Sequence, residues 1–94
     1  MAQRVLYAED EEIMRTLVSD QLTEEGFEVR TAADGEEAVE FLSRESFDLI
    51  LLDIKMPRRD GIDVLRFLKE KNLRPRVVML TGVEDVSIAI QCVK

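Results

Sequence analysis

Histidine is absent from this 94-residue chain, and cysteine occurs once, at Cys92. Imidazole general bases, imidazole metal ligands, an internal disulfide and any cysteine-based zinc site are thereby excluded. Nothing near Cys92 suggests a reactive thiol, and it reads as packed at the edge of a helix. Long hydrophobic runs are missing too: none approaches the roughly 20 residues of a membrane span. The start lacks a basic-then-apolar leader, so the sequence reads as cytoplasmic and without a membrane partner. Cations are scarce in one half only. Residues 1–50 carry four Lys and Arg against 14 Asp and Glu, whereas residues 51–94 carry nine against six. The formal net charge of −7 argues against a nucleic-acid surface, because polyphosphate binding needs an excess of cations.

What is present is a regular alternation of short apolar runs with longer amphipathic stretches, in a composition of 46% hydrophobic and 35% charged residues. That is ordinary globular material with room for one small domain, residues 1–94. Arg4 to Ala8, Phe27 to Ala32, Phe47 to Asp53 and Pro75 to Thr81 read as four strands. Residues 11–25, 35–45 and 61–72 read as helices, and a fourth begins near Glu84. In the first helix Ile13, Met14, Leu17, Val18 and Leu22 form one apolar stripe, with Gly26 as a C-terminal cap. Asp34 and Glu37 read as an N-cap and its box partner.

Strands joined in this way are parallel, with helices on both faces of the sheet. The third and fourth strands are continuously apolar, as strands covered on both faces are. The second alternates, Phe27, Val29 and Thr31 against Glu28 and Arg30, which marks it as an edge. The expectation is an α/β, flavodoxin-like, doubly wound parallel sheet of order 2-1-3-4. The carboxyl ends of strands 1 and 3 then flank the crevice where open α/β sheets bind ligands.

Strand 1 runs into Glu9-Asp10, strand 3 ends at Asp53 and strand 4 ends at Thr81-Gly82. The fold gathers three carboxylates in one crevice with a hydroxyl at its rim. Two unit charges about 4 Å apart repel by roughly 4 kcal/mol at an effective dielectric near 20, so the cluster must take up protons or bind a cation. Carboxylate oxygens without His or Cys suit a hard ion such as Mg²⁺. Each residue also has a plainer reading. Asp10-Glu11-Glu12 is equally readable as a helix cap and first turn, and Thr81 as a β-branched strand residue. Asp53 is harder to dismiss, because a carboxylate ending an apolar run is costly unless paired.

The segments VLYAEDE at the first strand, LLDIKMPRRDG after the third and VVMLTG at the fourth resemble the receiver domain of two-component response regulators. Met56-Pro57 and Asp60-Gly61, at their spacings after Asp53, are specific to that family. The resemblance implies that Asp53 is the phosphoryl acceptor and that Glu9 and Asp10 hold Mg²⁺, Glu9 commonly through water. It implies a third protein ligand in the backbone carbonyl of Lys55. Thr81 corresponds to the hydroxyl that turns toward the phosphoryl group, and Gly82 to the small residue whose N–H approaches it. The donor is then a phosphohistidine on a sensor histidine kinase or phosphotransfer protein. The chain acts once on itself as a signalling switch rather than turning over substrate.

One departure bears on that implication. Receivers carry a fifth strand ending in a lysine that pairs with the phosphoryl group, followed by a fifth helix, whereas these residues stop at Lys94, within the expected fourth helix. By the resemblance Lys94 matches a helical position and is not that lysine; the side chain of Lys55 is the candidate to stand in for it. Without a fifth unit, strand 4 (Val77, Val78, Met79, Leu80) is a bare apolar edge, and self-association through it or through the fourth helix is expected. Two other classes compete. The intact acidic trio and Thr81 argue against a phosphorylation-independent interaction module, and the missing lysine argues for it. A metal-dependent hydrolase or topoisomerase-type domain normally needs a second carboxylate where Lys55 stands.

Overall fold

A computed structural model describes residues 3–53 and 61–80. The chain alternates β1 (Arg4–Ala8), α1 (Glu12–Glu24), β2 (Glu28–Ala32), α2 (Gly35–Arg44), β3 (Leu49–Asp53), α3 (Gly61–Glu70) and β4 (Arg76–Leu80). All strand pairs are parallel and the order is β2-β1-β3-β4, the order that the alternating second strand predicts. The expected fourth helix, together with Lys55, Thr81, Gly82 and Cys92, lies outside the described residues.

The period of two along β1 and β3 divides the core between the two faces of the sheet. Val5, Tyr7, Leu49 and Leu51 pack on one face with Val18 and Leu22 of α1 and with Phe27. Leu6, Ala8, Ile50 and Leu52 pack on the other with Ala38 and Leu42 of α2 and Val64 and Leu68 of α3. Val5, Leu6, Ala8, Ile50, Leu51 and Leu52 are wholly buried. Fully burying a side chain of Val or Leu size contributes about 1.5–3 kcal/mol. These two central strands therefore anchor whatever sits at their ends.

Local chemistry sets the element ends and corrects several of the predicted boundaries. Phe27 belongs to the end of α1 rather than to β2. Its N–H bonds the Leu22 carbonyl at 3.1 Å while Gly26 takes the left-handed region at φ +96°. This is a Schellman closure, which favours glycine because a Cβ is penalised there. Asn72, at φ +57°, repeats the device after α3, with Leu73 N–H on the Leu68 carbonyl at 2.9 Å, so that helix stops at Glu70 rather than at residue 72. Pro75 precedes β4, and Phe47 and Asp48 precede β3. Asp34 caps α2 as expected, its Oδ1 accepting from Glu37 N–H at 2.9 Å. The Glu37 carboxylate reaches back to Ala33 N–H, one residue before the position a standard capping box uses.

The apolar stripe of α1 is narrower than predicted. Val18 and Leu22 are buried and Met14 packs against them, but Ile13 and Leu17 are 69% and 61% exposed. Among the described residues α1 covers the sheet with its i, i+4, i+8 row, Met14, Val18 and Leu22, and the row of Ile13 and Leu17 faces outward.

Candidate functional site

Glu9 directly follows β1, and its backbone N–H extends the ladder toward β2 by donating to the Ala32 carbonyl at 2.9 Å. Ala8 is in register with Leu52, so the next residues, Glu9 and Asp53, emerge side by side at the carboxyl ends of adjacent strands. Asp10 begins the turn into α1. One carboxylate oxygen from each of Glu9, Asp10 and Asp53 lies within 4.8 Å of the others. Glu9 is buried, Asp53 half-buried and Asp10 exposed, so the cluster opens to solvent on the Asp10 side.

The reading of Asp10 as a helix cap is not what the structure contains. The N-cap of α1 is Glu11, and no side-chain cap bond is made there. The Glu11 N–H is taken instead by Glu9 Oε2 at 3.3 Å, and the Tyr7 hydroxyl donates to Glu9 Oε1 at 3.3 Å. Tyr7 and Glu9 share a face because they lie two residues apart on an extended chain. Arg15, on the first turns of α1, donates from Nη1 to the carbonyls of Glu9 at 2.9 Å and Asp10 at 3.4 Å.

Electrostatics follow from this packing. Burial, reinforced by the neighbouring Asp53 and Asp10 carboxyls and opposed by the Glu11 N–H, pushes Glu9 from 4.5 up to about 7. Burial first, and then the Glu9 carboxylate, raises the Tyr7 phenol well above its ordinary value, so it stays a donor at neutral pH. Charges at a 4.8 Å separation repel by about 3 kcal/mol at an effective dielectric of 20. Oxygen-only donors at such spacing suit a hard divalent cation, so the residues present fit Mg²⁺. A separate groove of about 650 Å³ opens at the opposite, amino end of the sheet, lined by Phe47, Leu73, Arg74 and Arg76 among others, and has no part in this cluster.

The structure thus brings together Glu9, Asp10 and Asp53. Of the other sequence candidates, Lys55, Thr81 and Gly82 are not among the described residues. Sequence reasoning passed over Tyr7 and Arg15. A strand position two before an acidic residue was the available signal for Tyr7. For Arg15 it was being the lone cation between Arg4 and Arg30.

Comparison with known proteins agrees with this geometry. The family model described as "Response regulator receiver domain" matches residues 5–94. The transcriptional regulatory protein PdtaR of Mycobacterium tuberculosis is 48% identical over 77 residues, 81% of this chain and 38% of that protein. The chemotaxis protein CheY of Bacillus subtilis is 36% identical over 95 residues, 100% of this chain and 79% of that protein. Among solved structures, the response regulator TrrA of Thermotoga maritima, in complex with Mg(2+)-BeF, superposes with a TM-score of 0.76 at 35% identity. That match covers 82% of this chain and 67% of TrrA. The chain thus spans less than half the length of PdtaR and most of the length of CheY.

Proposed function

The chain belongs to the response regulator receiver domain family, and from that premise we propose that it accepts a phosphoryl group on Asp53 as a phosphorylation-dependent signalling switch. The convergence of Glu9, Asp10 and Asp53 at the ends of two buried neighbouring strands carries this reading. Asp10 and Asp53 would hold Mg²⁺, with Glu9 acting through water and the backbone carbonyl of Lys55 as a third protein ligand. A bound magnesium ion supplies charge neutralisation at the phosphoryl oxygens, which a weak carboxylate nucleophile requires. The complex of TrrA with Mg(2+)-BeF supports that choice of ion.

The reaction itself is a displacement at phosphorus. An Asp53 carboxylate oxygen forms the new P–O bond while the P–N bond of a donor phosphohistidine breaks and the imidazole leaves with that electron pair. The donor belongs to a sensor histidine kinase or phosphotransfer protein, since this chain has no histidine. The Thr81 hydroxyl and the Gly82 N–H receive the added negative charge, and the inward turn of Thr81 is the conformational signal. The setting is cytoplasmic and the domain makes no direct nucleic-acid contact. No helix among the described residues is long and apolar enough to cross a membrane.

Acetyl phosphate with Mg²⁺ tests the assignment. One phosphoryl group should be added to the wild-type chain, labile to hydroxylamine, and none to Asp53→Asn. Stable labelling of Asp53→Asn, or labelling that survives hydroxylamine, would overturn it.

A further inference from the structure

A glutamate at the first acidic position has a long side chain with several torsions, and nothing in its covalent structure aims it at Asp53. It is held at both ends. On the side chain, the Tyr7 hydroxyl occupies Oε1 and the Glu11 N–H occupies Oε2, each at 3.3 Å. On the backbone, Arg15 Nη1 binds the Glu9 carbonyl at 2.9 Å and the Asp10 carbonyl at 3.4 Å, tying the turn that carries both acids to α1. Tyr7 is itself immobilised. It is 1% exposed, and its ring packs among Val5, Val18 and Leu22. Arg15 is half-buried rather than waving in solvent.

We propose that Tyr7 and Arg15 are positioning residues for the acidic crevice, Tyr7 fixing the Glu9 carboxylate and Arg15 fixing the backbone turn through Glu9 and Asp10. The inference rests on the reading of the crevice as a divalent-cation site. Neither residue touches the cation or the phosphoryl group; each acts through Glu9 or Asp10. Tyr7→Phe is a clean probe because it keeps the buried ring and deletes only the hydroxyl. Arg15→Lys keeps the charge but replaces the rigid planar fork with a compact ammonium on a flexible stem, whereas Arg15→Gln removes the charge.

The experiment is a Mg²⁺ titration of the 94-residue chain and its variants, followed by amide chemical shifts of Glu9, Asp10 and Ala32, with circular dichroism to confirm that each variant is folded. Tyr7→Phe and Arg15→Gln should each weaken Mg²⁺ binding three- to ten-fold, and Arg15→Lys should fall between wild type and Arg15→Gln. In a Glu9→Gln background, Tyr7→Phe should have no further effect, because its target is gone. A second readout needs no metal. Tyr7 is the lone tyrosine and tryptophan is absent, so emission reports this phenol directly. A hydrogen-bonded carboxylate quenches phenol emission, and Glu9→Gln should brighten it. Equal loss of affinity from Tyr7→Phe with and without Glu9, or unchanged affinity in Tyr7→Phe, would overturn the inference while leaving the cation site standing. A folded wild-type chain that takes no Mg²⁺ at millimolar concentration would overturn the cation-site reading, and the inference with it.

Discussion

Replacing Glu9 with glutamine removes a buried charge beside two other carboxyls, and the direction of the effect depends on pH. The carboxyl titrates at about 7 in the folded chain against 4.5 as an ordinary glutamate. The folded state therefore binds the extra proton between those values, and stability falls as pH rises through that window. A separation of that size corresponds to about 3 kcal/mol lost between pH 4.5 and pH 7 and above. Glutamine is neutral throughout and escapes this loss. It keeps one acceptor for Tyr7 or Glu11 and turns an amide N–H₂ toward the other, at a cost of about 1 kcal/mol.

Glu9→Gln should therefore be more stable than wild type by about 2 kcal/mol at pH 8 and less stable by about 1 kcal/mol at pH 4.5. For a domain of this size the gain at pH 8 raises Tm by roughly 10 °C. Urea unfolding in the presence of a chelator at pH 4.5, 6 and 8 reads the difference directly. Saturating Mg²⁺ should then narrow that gap at pH 8. A ligand at about 100 times its Kd adds about 2.7 kcal/mol to the protein that binds it, and the variant binds it less well. A stability difference that does not change with pH, or a variant weaker than wild type at pH 8, would refute the assignment of the strained charge to Glu9.

Asp34→Ala should destabilise the chain by about 1 kcal/mol, because the Glu37 N–H loses its capping oxygen at the start of α2; a urea midpoint equal to wild type would contradict that role. Lys55→Ala should slow phosphorylation by acetyl phosphate several-fold if the Lys55 ammonium stands in for the receiver lysine, and an unchanged rate would refute that role. The 94-residue chain should sediment as a dimer or larger species at tens of micromolar. Among the described residues β4 is the outer strand, and its Val77, Val78 and Met79 are only half-buried. A monomer with β4 amides protected from exchange would count against pairing through that edge.

The strand order and the acidic crevice are legible in the sequence because both are written in periodicity and position. A strand covered on one face alternates, and Glu28, Val29, Arg30 and Thr31 alternate between exposed and half-buried as their chemistry predicts. A strand covered on both faces does not alternate, and Leu49 to Leu52 are all buried. Once the order is known, the residues just beyond β1 and β3 must meet, so the acids reveal themselves by where the apolar runs stop. The unread features depend on reach across a turn instead. Whether Ile13 or Met14 faces the sheet is settled by how α1 is rolled about its own axis, which a stripe five residues rich does not specify. That Arg15 bonds a carbonyl six residues earlier, or that Glu37 chooses Ala33 over Asp34, follows from the exact path of a short loop. The Arg15 contact is also the one that ties the turn carrying Glu9 and Asp10 to α1. A sequence pattern can therefore locate three carboxylates in one crevice while leaving out the phenol and guanidinium that hold the first of them, and that is why the decisive tests of this site fall on Tyr7, Glu9 and Arg15 as a group.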